Sequence, residues 1–211
     1  MIPLILRLKR KEHKEIAKAQ DLIVEELFNV FDKAILRGGT AIWRCFSGNR
    51  FSEDIDVFIP KDQQKIDLFF ERLRQKGFEI EKKKISENSI FSKLKMNTSL
   101  VKFEAIFKTV KGVLSEYLTV DSNILTVYSF TAEQFVNGKV DTYLNRLKIR
   151  DLYDIFFLLR HIKQKELVKD QLNKLIKEFK PPLDKNNLKV IILEGICPTV
   201  EEMLTYIRRG L

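Results

Sequence analysis

The chain has 211 residues, 45% hydrophobic and 32% charged, with a formal net charge of +9 and a pI near 9.4. That length buries a sizeable core without staples, and 16 Phe residues set in regular apolar patterns argue against disorder. The longest apolar runs, such as Ile155 to Leu159, fall far short of a membrane span.

Two Cys (Cys45, Cys197) and two His (His13, His161) provide neither a disulfide framework nor zinc spacing, and no Ser–His–Asp or Cys–His arrangement can be built from them. Ile2 to Leu6 is too short an apolar run for a signal peptide. The expectation is a reduced, soluble, cytoplasmic protein with no membrane role. The positive excess is spread almost evenly over residues 1–130 and 131–211, and such a diffuse excess is weak evidence for a polyanionic partner.

In chain order, Lys11 to Ala34 reads as a helix with apolar residues at Ile16, Ala19, Ile23, Leu27 and Val30 or Phe31. Gly38-Gly39-Thr40 breaks that period, and Ala41 to Phe46 resumes as a short helix. Asp54 to Ile59 is strand-like and stops at Pro60. Lys61 to Lys76 is an amphipathic helix ended by Gly77. Phe78–Ile85, Ile90–Met96, Leu100–Thr109, Val113–Val120 and Ile124–Val127 read as consecutive strands. From Thr131, a capping-box start with Gln134, the period is helical: 131–146, 149–161, 165–177 and one or two helices after Pro182. This divides the chain into an α/β domain, 1–130, and a helical domain, 131–211.

Local chemistry concentrates in Gly38-Gly39-Thr40 and Arg50-Phe51-Ser52-Glu53-Asp54-Ile55-Asp56. A Gly-Gly turn lets the backbone approach a ligand closely, and a helix opening at Thr40 would favour phosphate at its N-terminus. Asp54 and Asp56, two apart on a strand, project from one face. Adjacent carboxylates coexist most easily around a cation, and Mg²⁺ suits such a pair. Glu104, on the face of its strand shared with Lys102 and Ile106, is a third carboxylate available to a metal, or else a partner for a lysine. Asp151 and Asp154 share a helix face, with Lys139, Arg146 and Arg150 as candidate partners; an Arg–Asp clamp at the helix start competes with a catalytic reading. Lys82-Lys83-Lys84, Lys93 and Lys95 fit a solvated hairpin, with an RNA-backbone contact as the sharper alternative. His13 is expected on the exposed side of its helix. Trp43, Tyr143 and Tyr153 are expected in the core.

Gly38-Gly39-Thr40-Ala41-Ile42, Arg50 to Asp56, and Lys139…Arg146…Arg150-Asp151-Leu152-Tyr153-Asp154 together resemble the AbiEii-type nucleotidyltransferase toxins, within the DNA polymerase beta-like superfamily. The resemblance implies an α+β fold: a nucleotidyltransferase-type mixed sheet with flanking helices, followed by a C-terminal helical bundle that completes the active site. It implies NTP and Mg²⁺ as co-substrate and cofactor, an RNA or tRNA acceptor, and a cognate antitoxin. Carried onto these residues, Gly38, Gly39 and Thr40 hold the triphosphate, and Asp54 and Asp56 bind the metal with Glu104 as third carboxylate. Arg50 and Ser52 support that site, Lys139 contacts phosphate, and Asp151 or Asp154 is the helical catalytic acid residue. A small-molecule nucleotidyltransferase of the antibiotic-modifying kind, or a non-catalytic binding protein, would use the same front half.

Overall fold

Alternating burial along two strands, Ile55–Ile59 (β2) and Ser99–Phe107 (β5), separates the two faces of the central sheet. The computed structural model describes residues 3–210; Ile2, where the N-terminal apolar run begins, lies outside them. It divides into two units: residues up to Ser47 together with Phe51–Ser129, and Gly48–Arg50 together with Phe130 onward. The α+β class expected from sequence is observed.

In the first unit, β1 (Ile35–Arg37), β2, β3 (Glu79–Ile85), β4 (Ser89–Met96) and β5 form a mixed sheet in the order β1-β2-β5-β4-β3. β2 and β5 run parallel, and the other pairs are antiparallel. The core face carries Ile55, Val57, Ile59, Val101, Phe103 and Ala105, all buried. It is covered by α2 (Lys11–Val30) and by α4 (Gln63–Gln75), which contributes Ile66, Phe69, Phe70 and Leu73. Asp62 caps α4 by accepting from the Lys65 amide at 3.1 Å, and Gly77 at φ +91° ends it. A short helix, α1 (Leu4–Arg7), precedes α2.

Three features differ from the sequence expectation. α2 stops at Val30 rather than Ala34, because Phe31 turns extended and leads into β1, a strand too short to show a period. The next helix, α3, spans Gly38–Cys45 and so begins at the first glycine rather than at Ala41. The last two strands, β6 (Val113–Leu118) and β7 (Ile124–Ser129), form a separate hairpin instead of extending the sheet. β6 packs on α3 and β7 on β1.

Arg44, buried at the end of α3, ties these pieces together. It donates to the Asp21 carboxylate at 2.6 Å and to the carbonyls of Ala17 and Leu118, and it lies between the Trp43 and Tyr117 rings. His13 corrects another expectation: it is buried, stacked on Phe51 with ring centroids 4.0 Å apart.

The second unit is helical: α5 (Ala132–Arg146), α6 (Ile149–Leu158) with one 3₁₀ turn after it, α7 (Glu166–Glu178), α8 (Leu188–Ile191) and α9 (Val200–Arg209). The Thr131–Gln134 capping box forms as expected, and Leu147 in the left-handed region terminates α5. α6 is apolar nearly all round and packs against α5 and α9. Among the described residues, no helix is long and apolar enough to cross a membrane.

Candidate active site

In the first unit the glycine turn and the aspartate strand meet. Gly38 has φ +76°, and a Cβ there would lie 2.1 Å from Asp56 Oδ2 and 2.9 Å from Asp56 Cβ. Only glycine supplies both that backbone angle and that space. The Asp56 carboxylate therefore sits against the first residue of α3, where the unpaired amides of a helix start favour negative charge. Gly39 and Thr40 are buried in that first turn. Thr40 is used in a way the sequence did not indicate. Its hydroxyl donates to the Asp54 carbonyl at 2.5 Å, locking the entry of β2 onto α3. The Ser52 carbonyl accepts from buried Gln20 at 2.9 Å, which anchors the same segment to α2.

Register completes the group. Arg37, Asp56 and Glu104 are direct neighbours across β1, β2 and β5. Arg37 approaches Asp56 at 3.9 Å, and Lys102, on Glu104's face of β5, approaches Asp54 at 3.8 Å. Burial raises the pKa of Glu104; the charges of Asp56 and Asp54 raise it further, while Arg37 and Lys102 pull it down. The three carboxylates thus share one electrostatic environment. Among the described residues, no three His, Cys, Asp or Glu side chains close into a metal cage. What the strand offers is a half-exposed Asp-x-Asp pair beside a third, mutually repelled carboxylate. That donor set fits Mg²⁺, which accepts one or two carboxylates and fills its shell with substrate oxygens. Arg37 escaped the sequence reading; the one signal for it is its place immediately before the glycine turn.

The second unit gathers the remaining expected residues into a buried charge cluster. Arg50 grips Asp154 through Nε and Nη2, both at 2.7 Å, and its segment is held by a bridge from Arg50 to Ile192 and by the Leu193 amide donating to the Asn49 carbonyl. Lys139 Nζ, on α5, lies 2.6 Å from Asp154 and 3.0 Å from Asp151. Arg146 grips Asp151 at 2.6 and 2.8 Å. Burial works to raise the pKa of each aspartate, but Arg146 and Lys139 at Asp151, and Arg50 and Lys139 at Asp154, outweigh it and hold both below the ordinary value. Arg50 belongs to this cluster, where its guanidinium is engaged by Asp154. The Arg–Asp clamp weighed for this helix is present on both aspartates. Three cations, Arg50, Lys139 and Arg146, surround the two carboxylates.

A glycine turn opening a helix against an Asp-x-Asp strand, with an acid on the adjacent parallel strand, is the arrangement of a nucleotidyltransferase, and the chain is one. It belongs to a particular family of them: the model of the nucleotidyl transferase AbiEii toxin, of type IV toxin–antitoxin systems, matches residues 22–192. Solved structures share the fold. MenT4, a nucleotidyltransferase toxin of Mycobacterium tuberculosis, superposes with a TM-score of 0.65 at 16% identity, covering 95% of this chain and 84% of that one. JHP933 of Helicobacter pylori gives 0.65 at 17% identity over 95% and 90%. A further H. pylori protein, described as a nucleotidyltransferase, gives 0.63 at 18% over 95% of each. A search of curated protein sequences found no match.

Proposed function

We propose that this nucleotidyltransferase moves a nucleoside monophosphate from an NTP to a hydroxyl on RNA, with a tRNA as the favoured acceptor, acting as the toxin opposed by a cognate antitoxin. The observation that carries this reading is the contact of Gly38 with Asp56, which sets a carboxylate pair against a helix start that can take phosphate. The acceptor oxygen forms a bond to the α-phosphorus, the bond from that phosphorus to the bridging oxygen breaks, and pyrophosphate leaves. Mg²⁺ held by Asp54 and Asp56 would neutralise charge on the phosphates and acidify the hydroxyl.

In this reading the backbone of Gly38, Gly39 and Thr40 holds the triphosphate, and Thr40 and Ser52 fix the strand that carries the aspartates. Glu104, directly opposite Asp56 on the adjacent parallel strand, is the third carboxylate available to that metal. Asp151 and Asp154 act as positioning residues, since their oxygens are bound by guanidinium and ammonium groups. Arg50 shares that role. Lys139, held between both aspartates, is the phosphate-contacting residue of this reading. The net charge of +9 favours a polyanionic acceptor over a neutral small molecule.

The test is incubation of the purified chain with Mg²⁺, each α-labelled NTP in turn and total RNA, beside Asp56→Asn. Label on a tRNA-sized band with the intact protein alone is expected. Full transfer by Asp56→Asn would overturn the metal assignment, and label on a small aminoglycoside-type acceptor rather than RNA would move the reading to antibiotic modification.

A further inference from the structure

On the face of the sheet that carries Asp56 and Glu104, lysines stand directly opposite one another across three strands. Lys82 on β3 pairs with Lys93 on β4, and Lys93 pairs with Lys102 on β5. The next row on the same face runs Lys84, Phe91, Glu104, Asp56 and Arg37. Like charges placed opposite in a sheet repel, and opposite charges in those positions attract. Elsewhere this sheet follows the favourable rule. Lys95 faces Glu79 in register and pairs with it at 3.4 Å, and Lys83, on the core face, reaches Asp67 at 3.3 Å. Among the described residues, Lys82, Lys84 and Lys93 have no carboxylate partner. Lys82 instead lies 5.5 Å from the centre of the Phe91 ring.

The band has a direction. At the β5 end Lys102 meets Asp54 at 3.8 Å, so the positive row terminates at the aspartate pair. At the other end it reaches β3, the outer strand of the sheet, where Lys82 and Lys84 are exposed. With strands ~4.8 Å apart, the three lysines cover about 10 Å. Phe91, half-buried, stands in the row of Glu104 and Asp56 with Lys82 over its ring, and Phe58, also half-buried, stands one row over with Arg37 and Lys108 over its ring. Regular positive charge interleaved with aromatic rings matches a single strand, whose phosphates meet the lysines while its bases stack. A duplex would hide its bases from those rings.

We infer that Lys82, Lys93 and Lys102, with Lys84 beside them, form the track on which a single-stranded nucleic-acid acceptor lays its phosphodiester backbone, entering over β3 and ending at Asp54, Asp56 and Glu104. This deepens the nucleotidyl-transfer reading and rests on it.

The experiment measures anisotropy of a fluorescein-labelled 12-nucleotide single-stranded RNA against the full chain at increasing KCl. It compares the wild type, the triple variant Lys82→Gln/Lys84→Gln/Lys93→Gln, the single Lys93→Gln, and a charge-matched control, Lys11→Gln/Lys18→Gln/Lys61→Gln. Each backbone contact to a single strand contributes ~0.7 to the slope of log affinity against log salt. The triple variant should therefore lose about 2 from that slope and the single variant about 0.7, while the control keeps the wild-type slope. An equal fall in the control would reduce the effect to overall charge and overturn the track. So would an unchanged slope in the triple variant, absence of RNA binding by the wild type, or tighter binding of a 12-base-pair duplex. Binding of a fluorescent NTP with Mg²⁺ is measured on the same proteins. It should survive in the triple variant and fall in Asp56→Asn, so failure of the track with NTP binding intact leaves the transferase reading standing, and loss of NTP binding in the wild type strikes that reading instead.

Discussion

Replacing Gly38 by Ala tests whether the helix start and the aspartate strand act as one device. Two penalties arise. The backbone sits at φ +76°, where a side chain costs about 1–2 kcal/mol. The added methyl would also lie 2.1 Å from Asp56 Oδ2 and 2.9 Å from its Cβ, more than 1 Å inside contact distance for the first. The carboxylate can swing away, but Asp56 Cβ cannot, because β2 is paired with Arg37 on one side and Glu104 on the other. Relief must move the first turn of α3, and such overpacking adds about 1–3 kcal/mol.

Gly77 supplies the control. It has φ +91° and nothing within 4 Å of a Cβ, so Gly77→Ala carries the backbone penalty alone. For a chain of this size each kcal/mol lowers Tm by about 2–4 °C. Gly77→Ala should lose a few degrees and keep transfer activity. Gly38→Ala should lose more and, because a 1 Å misplacement at a reacting centre costs on the order of 100-fold, nearly all its kcat. Thermal unfolding and α-labelled NTP transfer at saturating Mg²⁺ read the two effects separately. A Gly38→Ala protein that is folded and within a few-fold of wild-type kcat would refute the reasoning.

Other consequences follow from the same geometry. Arg50→Ala takes from Asp154, 1% exposed, its bidentate partner and leaves Lys139 as the remaining cation, and should cost about 3 kcal/mol by urea titration, whereas Arg50→Lys should recover part of that loss. Asp151 and Asp154 are both held below the ordinary 3.8, so their contribution is complete above that value and is lost as pH falls through the lower folded values. Asp151→Asn should therefore be less stable at neutral pH and show a flatter acid limb below pH 4 in chemical unfolding. Glu104 has the opposite sign: its folded pKa lies above 4.5, so stability declines as pH rises from about 4.5 through that value. Glu104→Gln should remove that decline, raise Tm at neutral pH and lower transfer. Thr40→Val leaves the half-buried Asp54 carbonyl without this donor and should cost about 1 kcal/mol, while Thr40→Ser should preserve both stability and activity.

Much of this was legible from residue order. The alternation in Ile55–Ile59 and Ser99–Phe107, the 3.6-residue period of α2 and α4, and the Thr131–Gln134 box each state a local preference that packing did not override. The Asp-x-Asp pair was legible because a period of two fixes the face whatever the neighbour. Pairing was not. Nothing local announces that β5 lies parallel to β2, yet that register is what puts Glu104 beside Asp56 and Lys102 near Asp54. Nor does β6 betray that it leaves the sheet, since its alternation would suit either partner; its attachment to α3 is fixed through Arg44 and Tyr117, distant in sequence. Thr40 makes a contact that residue order does not announce. A hydroxyl beside two glycines reads as a ligand for phosphate, and only the fold shows it already bonded to a carbonyl.

The two sets of acidic residues illustrate how partner distance separates chemistry from scaffolding. Asp151 and Asp154 are surrounded by three cations at 2.6–3.0 Å, fully buried and charge-assisted in every contact. Removing such a carboxylate collapses a frame, and bringing a metal to it would mean displacing guanidinium groups already in ideal geometry. Asp54, Asp56 and Glu104 are half-buried, and the nearest approaches of Lys102 and Arg37 are 3.8 and 3.9 Å. Burial first, and the charges of Asp56 and Asp54 after it, raise the pKa of Glu104. In the proposed metal site a divalent cation would offset neighbouring carboxylate charges, whereas at the helical cluster it would have to displace cations already in place. On the proposed reading, the same sequence signal, two carboxylates at close spacing, serves as a metal site on the strand and as a brace on the helix, where guanidinium and ammonium groups already hold every oxygen.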